Sequence, residues 1–182
     1  MDLIFTDPPY DLKSLPLYQE LAKVAERVLK EGGSLVTYLG QDHKYQIQQF
    51  MESSGLTPRR EFAVIYSGRY ARIYKKQALV IWKTLLWFVK GHEKRKSNYI
   101  DDSVVSPIQP SKTLHDWNQS MTEANHFISK LTFPGDVVLD PLMGIGITGI
   151  AALCLKRKFI GIDKDSDTFQ IAKGRMSAIC IG

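Results

Sequence analysis

A chain of 182 residues, 44% of them hydrophobic, is long enough for one domain with a true core, since a chain of this size buries about 70% of the surface it exposes when unfolded. Its two cysteines, Cys154 and Cys180, lie in apolar periodic segments without close pairing, which excludes a disulfide scaffold, a redox pair and a cysteine zinc site; both read as small core residues in a reducing compartment. The formal charge of +5 is modest, no signal-peptide pattern opens the chain, and the longest apolar run, 78–89, is broken by Lys83 and falls short of the roughly 20 residues that cross a bilayer, so a cytoplasmic protein without membrane contact is expected.

Leu3-Ile4-Phe5 reads as a short apolar strand that closes in Asp7-Pro8-Pro9-Tyr10. Residues 17–30 place Leu17, Leu21, Val24, Val28 and Leu29 at helical spacing, and Gly32-Gly33 stop that helix. A strand over 34–39 follows, then a helix opening at Gln41 or Asp42 and running through Phe50 and Met51. Strands are predicted over 61–66 and 78–89, joined by the basic stretch 69–76. Residues 91–112 turn polar, with Pro107, Pro110 and no sustained period, and read as a loop or recognition insertion longer than an ordinary connection. A helix over 122–131 with Thr122 as its cap leads through Phe133-Pro134-Gly135-Asp136 into a strand over 137–140, a helix over 148–155, a strand over 159–163 and a terminal helix over 167–179. This alternation predicts one α/β domain spanning 1–182, a Rossmann-like, mostly parallel sheet with helices on both faces.

The charge is unevenly spread. Between Arg59 and Lys96 eleven basic residues stand against two acids, and Tyr66, Tyr70, Tyr74, Trp82 and Trp87 are interleaved with them. Such a mixture suits phosphate neutralisation and base stacking, with Arg69, Arg72, Lys75, Lys76, Lys94, Arg95 and Lys96 as candidate nucleic-acid contacts. The plainer alternative is a solvated basic surface whose aromatics face the core.

Asp140-Pro141-Leu142-Met143-Gly144-Ile145-Gly146-Ile147-Thr148 follows a buried strand and opens a helix, and its glycines let the backbone approach a ligand because neither carries a Cβ. Asp163, 23 residues downstream of Asp140 at the end of the next strand, can accept hydrogen bonds from two ribose hydroxyls. Dinucleotide sites share this layout, and a tight turn with no ligand is the bland alternative. A carboxylate before the turn would repel a pyrophosphate yet could hold the cationic amino acid moiety of a methionine-containing cofactor, which favours the latter.

At the other site, two prolines after Asp7 hold an extended turn with carbonyls left unpaired by secondary structure. An exocyclic base amine is a poor nucleophile because its lone pair is delocalised into the ring. If the Asp7 carboxylate and the Pro8 carbonyl both accept from that NH2, the nitrogen is drawn toward tetrahedral geometry, and Tyr10 can stack on the base. A base in a duplex must be flipped out to reach such a pocket. The four histidines are scattered, so no metal-ligand spacing is present.

These motifs together resemble the DNA amino-methyltransferases, the N6-adenine and N4-cytosine family, in the permuted order with the catalytic motif ahead of the glycine motif. The resemblance implies an S-adenosyl-L-methionine-dependent enzyme of DNA methylation and restriction-modification type. It makes Asp7, Pro8, Pro9 and Tyr10 the catalytic motif and Asp140, Pro141, Gly144, Gly146, Thr148 and Asp163 the cofactor residues. His115-Asp116-Trp117-Asn118-Gln119 is similar to the family segment that lines the methionine end of the cofactor pocket, which implies His115 and Trp117 as contacts, and 79–91 resembles the motif ahead of the target-recognition region. Asp at the first motif position is more usual for adenine enzymes, so adenine N6 is expected, with cytosine N4 the alternative.

Three departures stand out. The family commonly shows Gly-Ser-Gly-Thr-Thr where this chain has Gly144-Ile145-Gly146-Ile147-Thr148, which is expected to weaken cofactor affinity. Met1 lies six residues ahead of Asp7, where the family carries a further strand and helix, so the resemblance implies a truncated or minimal form. The candidate recognition stretch 91–112 is short, which leaves a homodimer or a separate recognition partner to share that work. A DNA-binding remnant without catalysis, and a methyltransferase for RNA or a protein glutamine, are competing readings; the retained Asp7 and Asp163 argue against the first, and motif order against the second.

Overall fold

The computed structural model describes residues 1–67, 71–73, 77–92, 99–107 and 120–179, with the backbone alone for 71–73 and 107. Its elements in chain order are β1 (Leu3–Thr6), α1 (Leu15–Val28), β2 (Ser34–Leu39), α2 (Lys44–Ser53), β3 (Leu56–Ser67), β4 (Ala71–Ile73), β5 (Ala78–Val80), β6 (Trp82–Lys90), β7 (Ser103–Pro107), α3 (Met121–Leu131), β8 (Val137–Asp140), α4 (Ile147–Cys154), β9 (Lys158–Gly161) and α5 (Ser166–Ser177). The described strands form a seven-stranded sheet in the order β7-β3-β6-β2-β1-β8-β9, and β4 pairs with β5 in a separate hairpin.

Six of the seven strands run in one direction, and β6 alone is antiparallel to its neighbours β2 and β3. β1 lies inside the sheet, between β2 and β8, because its residues are apolar on both faces. Ile4 points into a cluster with Tyr18, Leu21 and Ala25 of α1 and Ile47 and Met51 of α2, while Leu3 and Phe5 point into a second with Ala124, Phe127 and Ile128 of α3 and Ala151 and Ala152 of α4. The chain leaves β1 through α1 to β2 on one side, and leaves β8 through α4 to β9 on the other. Right-handed crossovers in opposite directions put α1 and α4 on opposite faces. The strand order therefore reverses between β1 and β8, the position in an open parallel sheet where a crevice forms beyond the carboxyl ends.

Several boundaries differ from expectation for physical reasons. The run 78–89 is two strands: β5 closes the hairpin with β4, and β6 restarts after Ile81 in the main sheet. β3 begins at Leu56, although 57–61 is exposed and polar, because its backbone pairs along β6 with a register shift between Pro58 and Arg60. The stretch 91–112, expected as a loop, contains β7, which lies parallel to β3 and buries Ser106. The cap of α3 is Ser120, not Thr122; its hydroxyl accepts from the Glu123 amide, satisfying one of the helix's unpaired N–H groups. Cys154 is exposed at the end of α4 rather than in the core, and Cys180 lies outside the described residues. No described helix is long and apolar enough to cross a membrane.

Candidate active site

The two sequence motifs meet at the switch point. β1 and β8 are parallel neighbours, with Leu3 opposite Val138 and Ile4 opposite Leu139, so Asp7 and Asp140 leave the sheet at the same edge. The Thr6 hydroxyl donates to Asp140 Oδ1 at 2.8 Å, joining the end of the catalytic strand to the start of the glycine turn.

On the catalytic side the Tyr10 hydroxyl donates to Asp7 Oδ1 at 2.5 Å, which folds the four-residue motif back on itself. Gly40, at the end of β2, lies against Tyr10; a Cβ there would stand 3.0 Å from the Tyr10 Cβ. The Lys83 ammonium is 3.7 Å from Asp7 Oδ2. Burial pushes the Asp7 carboxyl above the usual range, while the Lys83 charge and the Tyr10 hydrogen bond pull it back. Among the described residues the Pro8 carbonyl receives a long 3.4 Å contact from the Tyr18 hydroxyl, which binds the Tyr38 carbonyl at 3.1 Å. Lone-pair capacity therefore remains on Pro8 for a further donor.

On the glycine side Asp140 is 3% exposed and its Oδ1 also accepts the Leu142 amide at 3.1 Å, with a further hydrogen bond from Thr148. Burial raises its carboxyl to about 6 despite these donors. Gly144 (φ 50°) and Gly146 (φ 82°) adopt left-handed backbone that side chains resist. A Cβ on Gly144 would meet nothing within 4 Å, so the turn faces open space, whereas one on Gly146 would press on Ala172 of α5 at 3.0 Å. Asp163 Oδ2 accepts the Gly144 amide at 3.0 Å and Oδ1 the Asp165 amide at 2.9 Å. Each oxygen keeps a lone pair for a ligand hydroxyl. Ile147 packs into the core, and the Ile145 carbonyl is braced by Arg175 Nη1 at 2.7 Å, so the two residues in place of the hydroxyls serve the fold of the turn.

Lys83, Tyr38, Tyr66, Glu123 and Arg175 join the site without a sequence motif of their own. Lys83 had one usable signal, a lone cation in an apolar strand. Glu123 is 1% exposed and accepts from the Tyr38 hydroxyl at 2.6 Å and the Ser106 hydroxyl at 2.6 Å, linking β2, β7 and α3 behind Asp7. Of the basic candidates, Arg72 is placed on β4 opposite Leu79, in the hairpin that prolongs β3 and β6. Arg69, Lys75, Lys76, Lys94, Arg95, Lys96, His115 and Trp117 lie outside the described residues. Among the described residues no cluster of His, Cys, Asp or Glu could hold a metal.

Comparison with known proteins decides what this arrangement belongs to. The DNA methylase family of N6 and N4 methyltransferases matches residues 1–174. The chain belongs to that family.

The methylase is 30% identical to M1.HpyAVI in its crystal structure with S-adenosylmethionine, which it matches with a TM-score of 0.82 over 96% of its own length and 88% of that chain. It is 24% identical to the DNA adenine methyltransferase YhdJ of Escherichia coli strain K12, over 97% of the methylase and 76% of YhdJ. The PvuII DNA methyltransferase, cytosine-N4-specific, shares the fold at 17% identity, with a TM-score of 0.81 over 98% and 84% of the two chains. Members of the family methylate DNA with S-adenosylmethionine as donor. The residues present suit that molecule: Asp163 keeps acceptor capacity for hydroxyls beside a glycine turn that opens to space at Gly144.

Proposed function

We propose that the methylase transfers a methyl group from S-adenosylmethionine to the N6 amine of adenine in DNA. The observation that carries this reading is the shared carboxyl edge of β1 and β8, joined through Thr6 and Asp140. Bound S-adenosylmethionine supplies an electrophilic methyl group on a sulfonium. Asp163 and the Gly144 turn hold the nucleoside part, with Pro141 and Gly146 shaping the turn and Thr148 supporting Asp140. His115 and Trp117 complete the methionine end. Asp7 and the Pro8 carbonyl accept from the target NH2, Pro9 keeps the motif extended, and Tyr10 stacks on the base.

Arg72 belongs to β4, paired with β5, and Arg69, Arg72, Lys75 and Lys76 are assigned to DNA phosphates, a role their charge suits. Within 91–112, the residues outside β7, Lys94, Arg95 and Lys96 among them, are assigned to target recognition, supplemented by a second copy or a separate partner. The Asp at position 7 and the similarity to YhdJ favour adenine; the fold shared with PvuII keeps cytosine N4 as the second reading. An inactive remnant is disfavoured because Asp7 and Asp163 are both retained at strand ends, where a fold without catalysis has no need of a carboxylate. Labelled methyl incorporation into DNA followed by nucleoside analysis tests the proposal: N6-methyladenine is expected, N4-methylcytosine would move the target to the second reading, and no incorporation would refute both.

Asp140 also predicts a pH effect on stability. With its carboxyl at about 6 in the fold and near 3.8 unfolded, the native state binds more protons between those values. Stability therefore falls as pH rises from about 4 to 6 and is level above, by about 3 kcal/mol for this group. Melting curves of wild type and Asp140→Asn across pH 4 to 7 check this: the gap should close toward low pH, and parallel curves would contradict the assignment.

A further inference from the structure

Lys83 sits on β6 opposite Val64, on the face where Leu85, Trp87 and Val89 fill the core, yet its side chain is only 14% exposed. Its ammonium lies over three tyrosine rings, 5.7 Å from Tyr10, 5.5 Å from Tyr38 and 6.0 Å from Tyr66, drawn from the catalytic turn, β2 and β3. Desolvating a lysine costs free energy unless something compensates, and ring faces together with one carboxylate do so. Among the described residues that carboxylate is Asp7. An apolar side chain would continue the run without the cost, so fold alone does not account for the cation.

We propose that Lys83 is a positioning residue for methyl transfer, a boxed counter-charge that keeps Asp7 an ionised acceptor aimed at the target amine. The proposal rests on the functional reading above and adds a residue to it. Oδ1 of Asp7 is taken by Tyr10, while the 3.7 Å separation at Oδ2 leaves room for the amine to donate there with the ammonium still alongside. The other groups acting on Asp7 oppose its ionisation or are neutral: Glu123 from α3 and Asp140 from β8 carry negative charge, and Tyr18 from α1 and Tyr66 from β3 are phenols held neutral by burial. Lys83 is the cation set against them among the described residues.

The test compares wild type, Lys83→Met and Lys83→Arg by the pH profile of kcat/KM for DNA methylation. An opposite charge within 4 to 6 Å lowers a carboxyl pKa by about one unit or more, so Lys83→Met should move the acid limb up by about that much, losing roughly tenfold or more on that limb and recovering toward high pH. Lys83→Arg should keep the wild-type limb. A uniform loss with an unmoved limb, or an unchanged profile, would overturn the proposal. Titrating the Asp7 carboxyl by carbon NMR in the same proteins needs no turnover. If wild type transfers no methyl group, the functional reading fails, and the Asp7 midpoint, raised in Lys83→Met or unmoved, still decides the role of Lys83. Should Lys83→Met not fold, Lys83→Gln, uncharged but polar at its end, carries the same expectations.

Discussion

Asp7→Ala will lower methyl transfer by roughly 10²- to 10³-fold or more, the loss that follows removal of one preorganised polar partner in an active site. Cofactor affinity should stay nearly intact, because Asp7 directly follows β1 and contacts Tyr10 and Lys83 rather than the glycine turn. Labelled methyl incorporation and calorimetric titration with S-adenosylmethionine measure the two effects separately. Asp7→Asn should retain more activity than alanine, since an amide oxygen still accepts from an NH2. The alanine variant also leaves the Lys83 ammonium without its carboxylate, so a melting curve belongs with the assay to separate catalysis from folding. Full activity in Asp7→Ala would remove the residue from the reaction.

Asp163→Ala will weaken cofactor binding about 10- to 100-fold. The ribose hydroxyls lose a charged acceptor, worth about 1.5 to 3 kcal/mol, and the Gly144 amide loses its anchor. Asp165→Ala is the matched control. Asp165 caps α5 by accepting the Thr168 amide at 2.8 Å, so its loss should slightly destabilise the helix start with little effect on affinity. Equal affinities in the two variants would take Asp163 out of the ribose contact.

The two changes probe opposite sides of one crevice. Thr6 couples those sides, since it directly precedes Asp7 in the chain and its hydroxyl binds Asp140. Movement of the glycine turn on cofactor binding would therefore be felt at the catalytic turn, a reason to assay Asp7 variants with cofactor in excess.

Short-range signals were legible in the sequence because they act over a few residues. Apolar runs marked β1, β2 and β8, glycine and proline marked the turns, and helical spacing marked α1 to within two residues. Where pairing rather than pattern made the element, reading failed. β7 is short and mixes serines with two valines, and residues 57–61 of β3 are exposed; both are strands because neighbouring backbones supply their hydrogen bonds. Ser120 and Thr122 both stand at the start of α3 with a hydroxyl to offer, and only the extended backbone at Ser120 makes it the cap.

By itself the sequence determined the chemical kinds present: a carboxylate followed by two prolines and a tyrosine, a glycine turn after a buried acid, and a second acid at the next strand end. Tertiary structure alone decided that Asp7 and Asp140, 133 positions apart, share one edge, and that Lys83 of the antiparallel strand completes the first site. The physical reason is that turn chemistry and periodicity are local, whereas strand order follows from which apolar faces must be covered and from the handedness of the crossovers that cover them.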